Sequence, residues 1–256
     1  MSFAVSDDVY DRLIGRYSSK IAPLFADFAG IEWGMRVLDV GTGPGALTKE
    51  LARRVGAGDV AAADPSEPFV KVCAARNHGA DVRLATAEEL PWEDDSFDAA
   101  LSQLAVNFMA DADLGVREMG RVVRPGGVVA ACTLDRDEGV EMLRVFSESA
   151  RALDLVPPGD GPANRYRTPA ELRELWQRAG LTEVTTAALV VEAGYEDFDD
   201  FWEGFLSGIG PDSAFCVSLD RTMQAALREE CRRRLESPVG GFVLKARVWA
   251  VAGHVA

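Results

Sequence analysis

From Arg36 onward short apolar runs alternate with amphipathic segments, and that alternation confines the chain to a parallel sheet wound with helices on both faces. Arg36 to Val40 reads as the first strand. Gly45 to Val55 reads as the first crossover helix, because Leu47, Leu51 and Val55 recur on one face. Asp59 to Ala63 is the second strand, Glu67 to Arg76 a helix entered just after Pro65-Ser66, and Ala80 to Ala85 the third strand. Phe97 to Leu104 follows as the fourth strand. Asp111 to Val123 is a helix stopped by Arg124-Pro125-Gly126-Gly127, and Val128 to Leu134 is so continuously apolar that it reads as a buried fifth strand.

Thr168-Pro169-Ala170-Glu171 carries a capping box with proline at the first helical position, and the helix it opens stops at Gly180. Thr182 to Glu192 and Phe242 to Val251 are the last two strands. Between them Tyr195 to Ser237 is expected to be helical with a break at Gly208-Ile209-Gly210-Pro211. Phe198, Phe201, Trp202 and Phe205 form one apolar face there, opposed by Glu196, Asp197, Asp199 and Asp200, and the stretch is expected to close over a bound ligand as a lid. Without an internal repeat, low-complexity tract or flexible linker, the 256 residues are expected to form a single domain.

Composition narrows the partners. Acidic side chains number 41 against 27 basic ones, a net charge of -14, so a polyanion meets long-range repulsion and no nucleic-acid partner is expected. The start lacks a basic and apolar leader, and no run of about 18 apolar residues occurs, so the expectation is a cytoplasmic protein without a membrane anchor. Cys73, Cys132, Cys216 and Cys231 are widely spaced, with only two histidines to join them, and read as buried thiols rather than metal ligands.

Val37-Leu38-Asp39-Val40-Gly41-Thr42-Gly43-Pro44-Gly45 runs from a strand through a glycine-rich turn into a helix. Glycine allows the backbone to approach a ligand, and the helix start presents unpaired N–H groups. Gly41, Gly43 and Ala46 also satisfy the dinucleotide-binding pattern, and Asp64, 19 residues after Gly45, can accept both hydroxyls of an adenosine ribose. Up to this point NAD and S-adenosylmethionine are equally served.

Further motifs separate them. Thr86-Ala87-Glu88, Leu90-Pro91-Trp92 to Ser96-Phe97-Asp98, and Arg121-Val122-Val123-Arg124-Pro125-Gly126-Gly127 follow the glycine turn in order. With Asp39 two residues before Gly41, the set resembles the class I S-adenosylmethionine-dependent methyltransferases, especially the small-molecule group related to ubiquinone and menaquinone methyltransferases. The resemblance is close over residues 7 to 134 and looser beyond. It implies a Rossmann-like α/β fold whose seven-stranded sheet is mostly parallel with an antiparallel last strand. It divides the domain into an N-terminal helical cap (1–30), cofactor core (31–134), helices and strand six (135–194), helical lid (195–237) and last strand (238–256).

The resemblance further implies that Gly41, Thr42, Gly43 and Gly45 lie against the methionine part of the cofactor, with Asp39 as ligand or support, and that Asp64 holds the ribose. Pro65, Ser66, Thr86, Ala87 and Glu88 would surround the adenine, and Gln103 and Leu104 would lie beneath the sulfonium. Tyr10 and Arg16, in a segment similar to one that folds over the cofactor, would meet its carboxylate end, and Tyr17, Asn107 and Trp202 would face a small-molecule acceptor. Related sequences often carry a histidine near the site in the segment where this chain has Asn107, which can orient a group but cannot take a proton. His78 in a turn and His254 in the terminal tail offer no substitute, so no catalytic base is assigned. Two rivals remain: an NAD-dependent oxidoreductase, for which no Tyr-x-x-x-Lys constellation is visible, and a non-catalytic S-adenosylmethionine-binding protein.

Overall fold

The computed structural model describes residues 11–155, 165–208, 210–236 and 238–256. Helix α1 (Arg16–Phe28) leads into β1 (Val37–Val40), α2 (Ala46–Val55), β2 (Val60–Asp64), α3 (Glu67–Arg76), β3 (Asp81–Leu84) and β4 (Phe97–Gln103). A 3₁₀ turn at Val106–Phe108 precedes α4 (Ala112–Val122), β5 (Val123–Leu134), α5 (Glu141–Ala152) and α6 (Pro169–Arg178). The chain ends with β6 (Thr182–Tyr195), α7 (Phe198–Phe205), α8 (Pro211–Ser218), α9 (Arg221–Arg234) and β7 (Phe242–His254). The strands form one seven-stranded sheet in the order β3-β2-β1-β4-β5-β7-β6. Pairing is parallel from β3 through β5, and β7 runs antiparallel between β5 and β6. The Rossmann-like fold with an antiparallel last strand is therefore present as expected.

Strand alternation distributes the core over both faces of the sheet. Val37, Ala99 and Leu101 point into a cluster with α1, α2, α5 and α7, whereas Leu38, Val40 and Ala100 point into one with α4 and α6. The capping box forms with both halves present, Thr168 Oγ1 accepting from Glu171 N and the Glu171 carboxylate from Thr168 N.

Three strand boundaries differ from the sequence reading by three residues or more. β5 begins at Val123 rather than Val128, because Val123 pairs with Phe97 ahead of a register shift that absorbs Pro125. β6 and β7 extend to Tyr195 and His254, since each supplies the other's ladder along its whole length. His254 consequently ends a strand, its Nδ1 facing the Gly126 carbonyl at 3.3 Å, and is not in a loose tail. The stretch after β6 is three helices, with a second break where Asp220 caps α9 through Met223 N at 2.8 Å; Ile209 and Ser237 lie outside the described residues.

The aromatic face of α7 is used for packing. Phe198, Phe201, Trp202 and Phe205 are all buried, Phe205 stacks on Phe146 at 4.2 Å and Phe201 meets Tyr195 edge-on at 5.6 Å. These rings fill the core beside α5.

The second face depends on Trp176, fully buried with Nε1 donating to the Val129 carbonyl at 2.8 Å. Trp176→Ala removes the ring and leaves that carbonyl without its donor, and is expected to lower unfolding stability by about 3–5 kcal/mol; urea denaturation that shows no loss would mean α6 does not anchor this face.

Candidate active site

The turn after β1 is held against β2 by its backbone. Gly41 N and Thr42 N both donate to the Ala63 carbonyl, at 2.8 and 3.1 Å. That curvature requires left-handed backbone, with φ of +76° at Gly41 and +92° at Gly45. A Cβ at Gly41 would stand 2.4 Å from the Ala105 Cβ, and one at Gly45 would meet the Asn77 and Cys73 side chains at 2.3 and 2.9 Å. At Gly43, by contrast, a Cβ would find open space, so the turn is crowded beneath and open above.

Two buried carboxylates flank this turn. Asp39 Oδ2 accepts from Thr48 Oγ1 at 2.7 Å, and Thr48, its proton so committed, accepts in turn from Thr42 Oγ1 at 2.5 Å. Burial pushes the Asp39 carboxyl up to about 6, with the threonine hydrogen bonds opposing the shift. Asp64 ends β2 and takes Gly43 N on Oδ2 at 2.9 Å and Ser66 N on Oδ1 at 2.8 Å. Its carboxyl is also raised by burial, against those two backbone hydrogen bonds. Thr48 was not anticipated; a hydroxyl one residue past Leu47, on the buried side of α2, was the available signal.

The winding reverses between β1 and β4, and a doubly wound sheet opens a crevice at its carboxyl edge there. Asp39 Oδ1 on β1, Ser102 Oγ and Gln103 Oε1 on β4, and Ser66 Oγ after β2 are buried there without a hydrogen-bond partner among the described residues. Buried polar atoms are almost always paired, so a cluster of orphans along one edge fits a ligand rich in donors. The residues fit S-adenosylmethionine in kind: open backbone above Gly43, carboxylates with spare lone pairs, and uncommitted polar groups.

Other expected residues lie as follows. Pro65 and Thr86 are exposed and Ala87 buried. Glu88 sits in a turn, its Oε1 accepting from Asp111 N at 3.0 Å, which pins the segment after β3 to the start of α4. Gln103 Nε2 donates to the Ser18 carbonyl at 3.0 Å and so docks α1 over β4. Leu104 leaves the strand at φ +60°, a strained conformation for leucine. Asn107 is placed by the 3₁₀ turn and not by strand alternation, since β4 stops at Gln103.

Arg16, Tyr17 and Trp202 are engaged elsewhere. Arg16 forks onto Asp200 at 2.7 and 3.1 Å, donates to the Gly194 carbonyl at 3.0 Å and lies 4.1 Å from the centre of the Tyr195 ring. The Tyr17 and Tyr195 hydroxyls are 3.0 Å apart and buried, and Trp202 packs in the core with Phe205. Tyr10 lies outside the described residues. His78 is exposed in its turn.

A small cleft, with a cavity volume of about 30 Å³, is lined by Leu104, Asn107, Phe108, Thr133, Leu134, Arg136 and Arg165. It adjoins the carboxyl end of β4 and brings in two arginines that motif spacing did not single out.

A family model described as a methyltransferase domain matches residues 38–131. The ubiquinone biosynthesis O-methyltransferase of Agrobacterium fabrum is 37% identical over 143 residues, covering 54% of this chain and 56% of that protein. Its counterpart in Mesorhizobium japonicum is 33% identical over 175 residues, covering 66% of this chain and 67% of that protein. The chain thus spans little more than half of the Agrobacterium protein. The crystal structure of the YcgJ protein from Bacillus subtilis superposes with a TM-score of 0.57 at 18% identity, covering 94% of this chain and 99% of that one, a likeness of fold alone.

The environment of Asp39 has a measurable consequence. An unfolded aspartate ionises near pH 4, whereas the folded one holds its proton to about pH 6, so this group's contribution is lost as pH rises through that window, by about 3 kcal/mol. Asp39→Asn abolishes the titration. In urea unfolding the ligand-free variant is expected to be the more stable by about that amount above pH 6, with the gap closing toward pH 4; a gap that does not vary with pH would show that Asp39 is not the titrating group.

Proposed function

The chain belongs to the class I S-adenosylmethionine-dependent methyltransferases, and on that premise we propose that it transfers a methyl group from S-adenosylmethionine to a small-molecule acceptor by in-line displacement. The observation that carries the reading is the row of unpartnered buried polar atoms on β1 and β4 at the switch point. When bound, S-adenosylmethionine supplies a methyl group already activated by a positive sulfur. The chain's own task is then alignment and exclusion of water, and orientation of two reactants can be worth effective molarities of about 10⁵ M or more.

In this reading Gly41, Thr42 and Gly43 hold the methionine end, and the Asp64 carboxylate accepts the ribose hydroxyls on the lone pairs left over from Gly43 N and Ser66 N. Asp39, through Thr48 and Thr42, keeps the turn rigid. The Asn107 amide, largely buried at the cleft and without a side-chain partner among the described residues, orients the acceptor. Both histidines lie elsewhere, so a histidine-assisted deprotonation of the acceptor is not part of this reading. The net charge of -14 favours a small molecule over a nucleic acid. We place the reaction in the cytoplasm, where the free thiols of Cys73, Cys132, Cys216 and Cys231 are at home.

The decisive experiment is an acceptor screen with methyl-labelled S-adenosylmethionine: label transfer supports the reading, and cofactor binding with no transfer to any acceptor leaves a non-catalytic binder. Asp64→Ala is expected to weaken S-adenosylhomocysteine binding by about 1.5–3 kcal/mol, measured by calorimetry, and unchanged affinity removes Asp64 from the site. Once an acceptor is in hand, Asn107→Ala is expected to lower kcat about tenfold while leaving any inflection of the pH–rate profile in place. Wild-type kinetics in that variant would sink the orienting role.

A further inference from the structure

We propose that the acceptor carries a carboxylate beside a planar apolar body, and that Arg165 binds it; the inference rests on the methyl-transfer reading and specifies its substrate. Arg165 Nε and Nη2 donate to the Asn107 carbonyl at 3.2 and 2.9 Å, and Nη2 also donates to the Met109 carbonyl. These contacts lock the guanidinium against the turn that bears Asn107 and Phe108. They leave both N–H groups of Nη1 without a partner among the described residues, in a cleft.

The clamp is made of neutral carbonyls, so it directs the fork without cancelling its charge. Among the described residues, other charged groups near the cleft are engaged as follows. Arg136 is neutralised by Asp212 at 2.6 Å. Asp113 is paired with Arg178 at 2.8 Å, and Asp111 caps α4 through Leu114 N at 3.0 Å. Among the described residues, Arg165 is thus the arginine of the cleft lining that has no carboxylate partner, in a chain of net charge -14. The two N–H groups of a positively charged Nη1 held in place suit one carboxylate oxygen acceptor, because a guanidinium whose own rotamer is already fixed binds that group with little ordering cost.

The rest of the cleft states the neighbouring chemistry. Leu104 and Phe108 line it, and the Phe108 side chain is half exposed at 50%, an unusual position for a phenylalanine and a ready stacking surface for a planar ring. At about 30 Å³ the cleft as folded admits a water but no ring, so binding requires that exposed Phe108 swing outward.

The test uses benzoate and its uncharged analogue benzamide as probes on the full chain, with and without saturating S-adenosylhomocysteine, and reads dissociation constants by ligand-observed NMR. Benzoate is expected to bind at least tenfold more tightly than benzamide. Arg165→Gln should erase the preference while leaving S-adenosylhomocysteine affinity unchanged, and Arg165→Lys, which keeps the charge but not the fork, should retain part of it. Equal binding of the two probes by the wild-type chain, or a preference that survives Arg165→Gln, overturns the carboxylate assignment and leaves methyl transfer standing. If S-adenosylhomocysteine fails to bind, the methyl-transfer reading falls, and the probe comparison without it still decides whether Arg165 is an anion site.

Discussion

One carbonyl oxygen, that of Ala63, receives the N–H groups of both Gly41 and Thr42 and thereby ties the turn after β1 to the end of β2. The turn has to fold back over the sheet edge to reach it, which is why Gly41 and Gly45 sit in the left-handed region with side chains and backbone of Ala105, Asn77 and Cys73 close behind them. Asp64 adds a second tie through Gly43 N, and its raised carboxyl reflects the loss of water at that edge. The polar rim that results is over-supplied with acceptors, Asp39 and Gln103 among them, and that surplus makes it a place for a ligand.

The second half of the chain serves this edge indirectly. The helices between β6 and β7 spend their aromatic rings on the core around Phe146, and reach α1 and the loop after β5 through ion pairs, Asp200 with Arg16 and Asp212 with Arg136. Pairs that are largely shielded from water contribute modest net stability because desolvation offsets attraction, but each constrains direction. Arg16–Asp200 sets α1 against α7, and α1 in turn is docked on β4 by the Gln103–Ser18 contact. The site is thus positioned by elements remote in sequence, with neutral carbonyls, not carboxylates, fixing Arg165.

Local chemistry is what the sequence by itself determined. The order of strands and crossover helices, the glycine turn from Asp39 to Gly45, Asp64 at the end of β2 and the Thr168–Glu171 capping box all depend on residues near one another in the chain, so periodicity and spacing expose them. The tertiary structure alone decided partners. Amphipathicity shows that Trp202 and Phe205 are covered but not by what, and the answer is the core beside α5. A basic residue in a motif can meet a ligand or an acid, and Arg16 meets Asp200, 184 positions away. Arg165 and Ser102 carry no spacing signal at all, because the groups that make one useful and leave the other unpaired come together only when the sheet closes. Hydrogen bonds and ion pairs act over a few ångströms, and which groups lie within that range across a sheet is set by the packing of its layers.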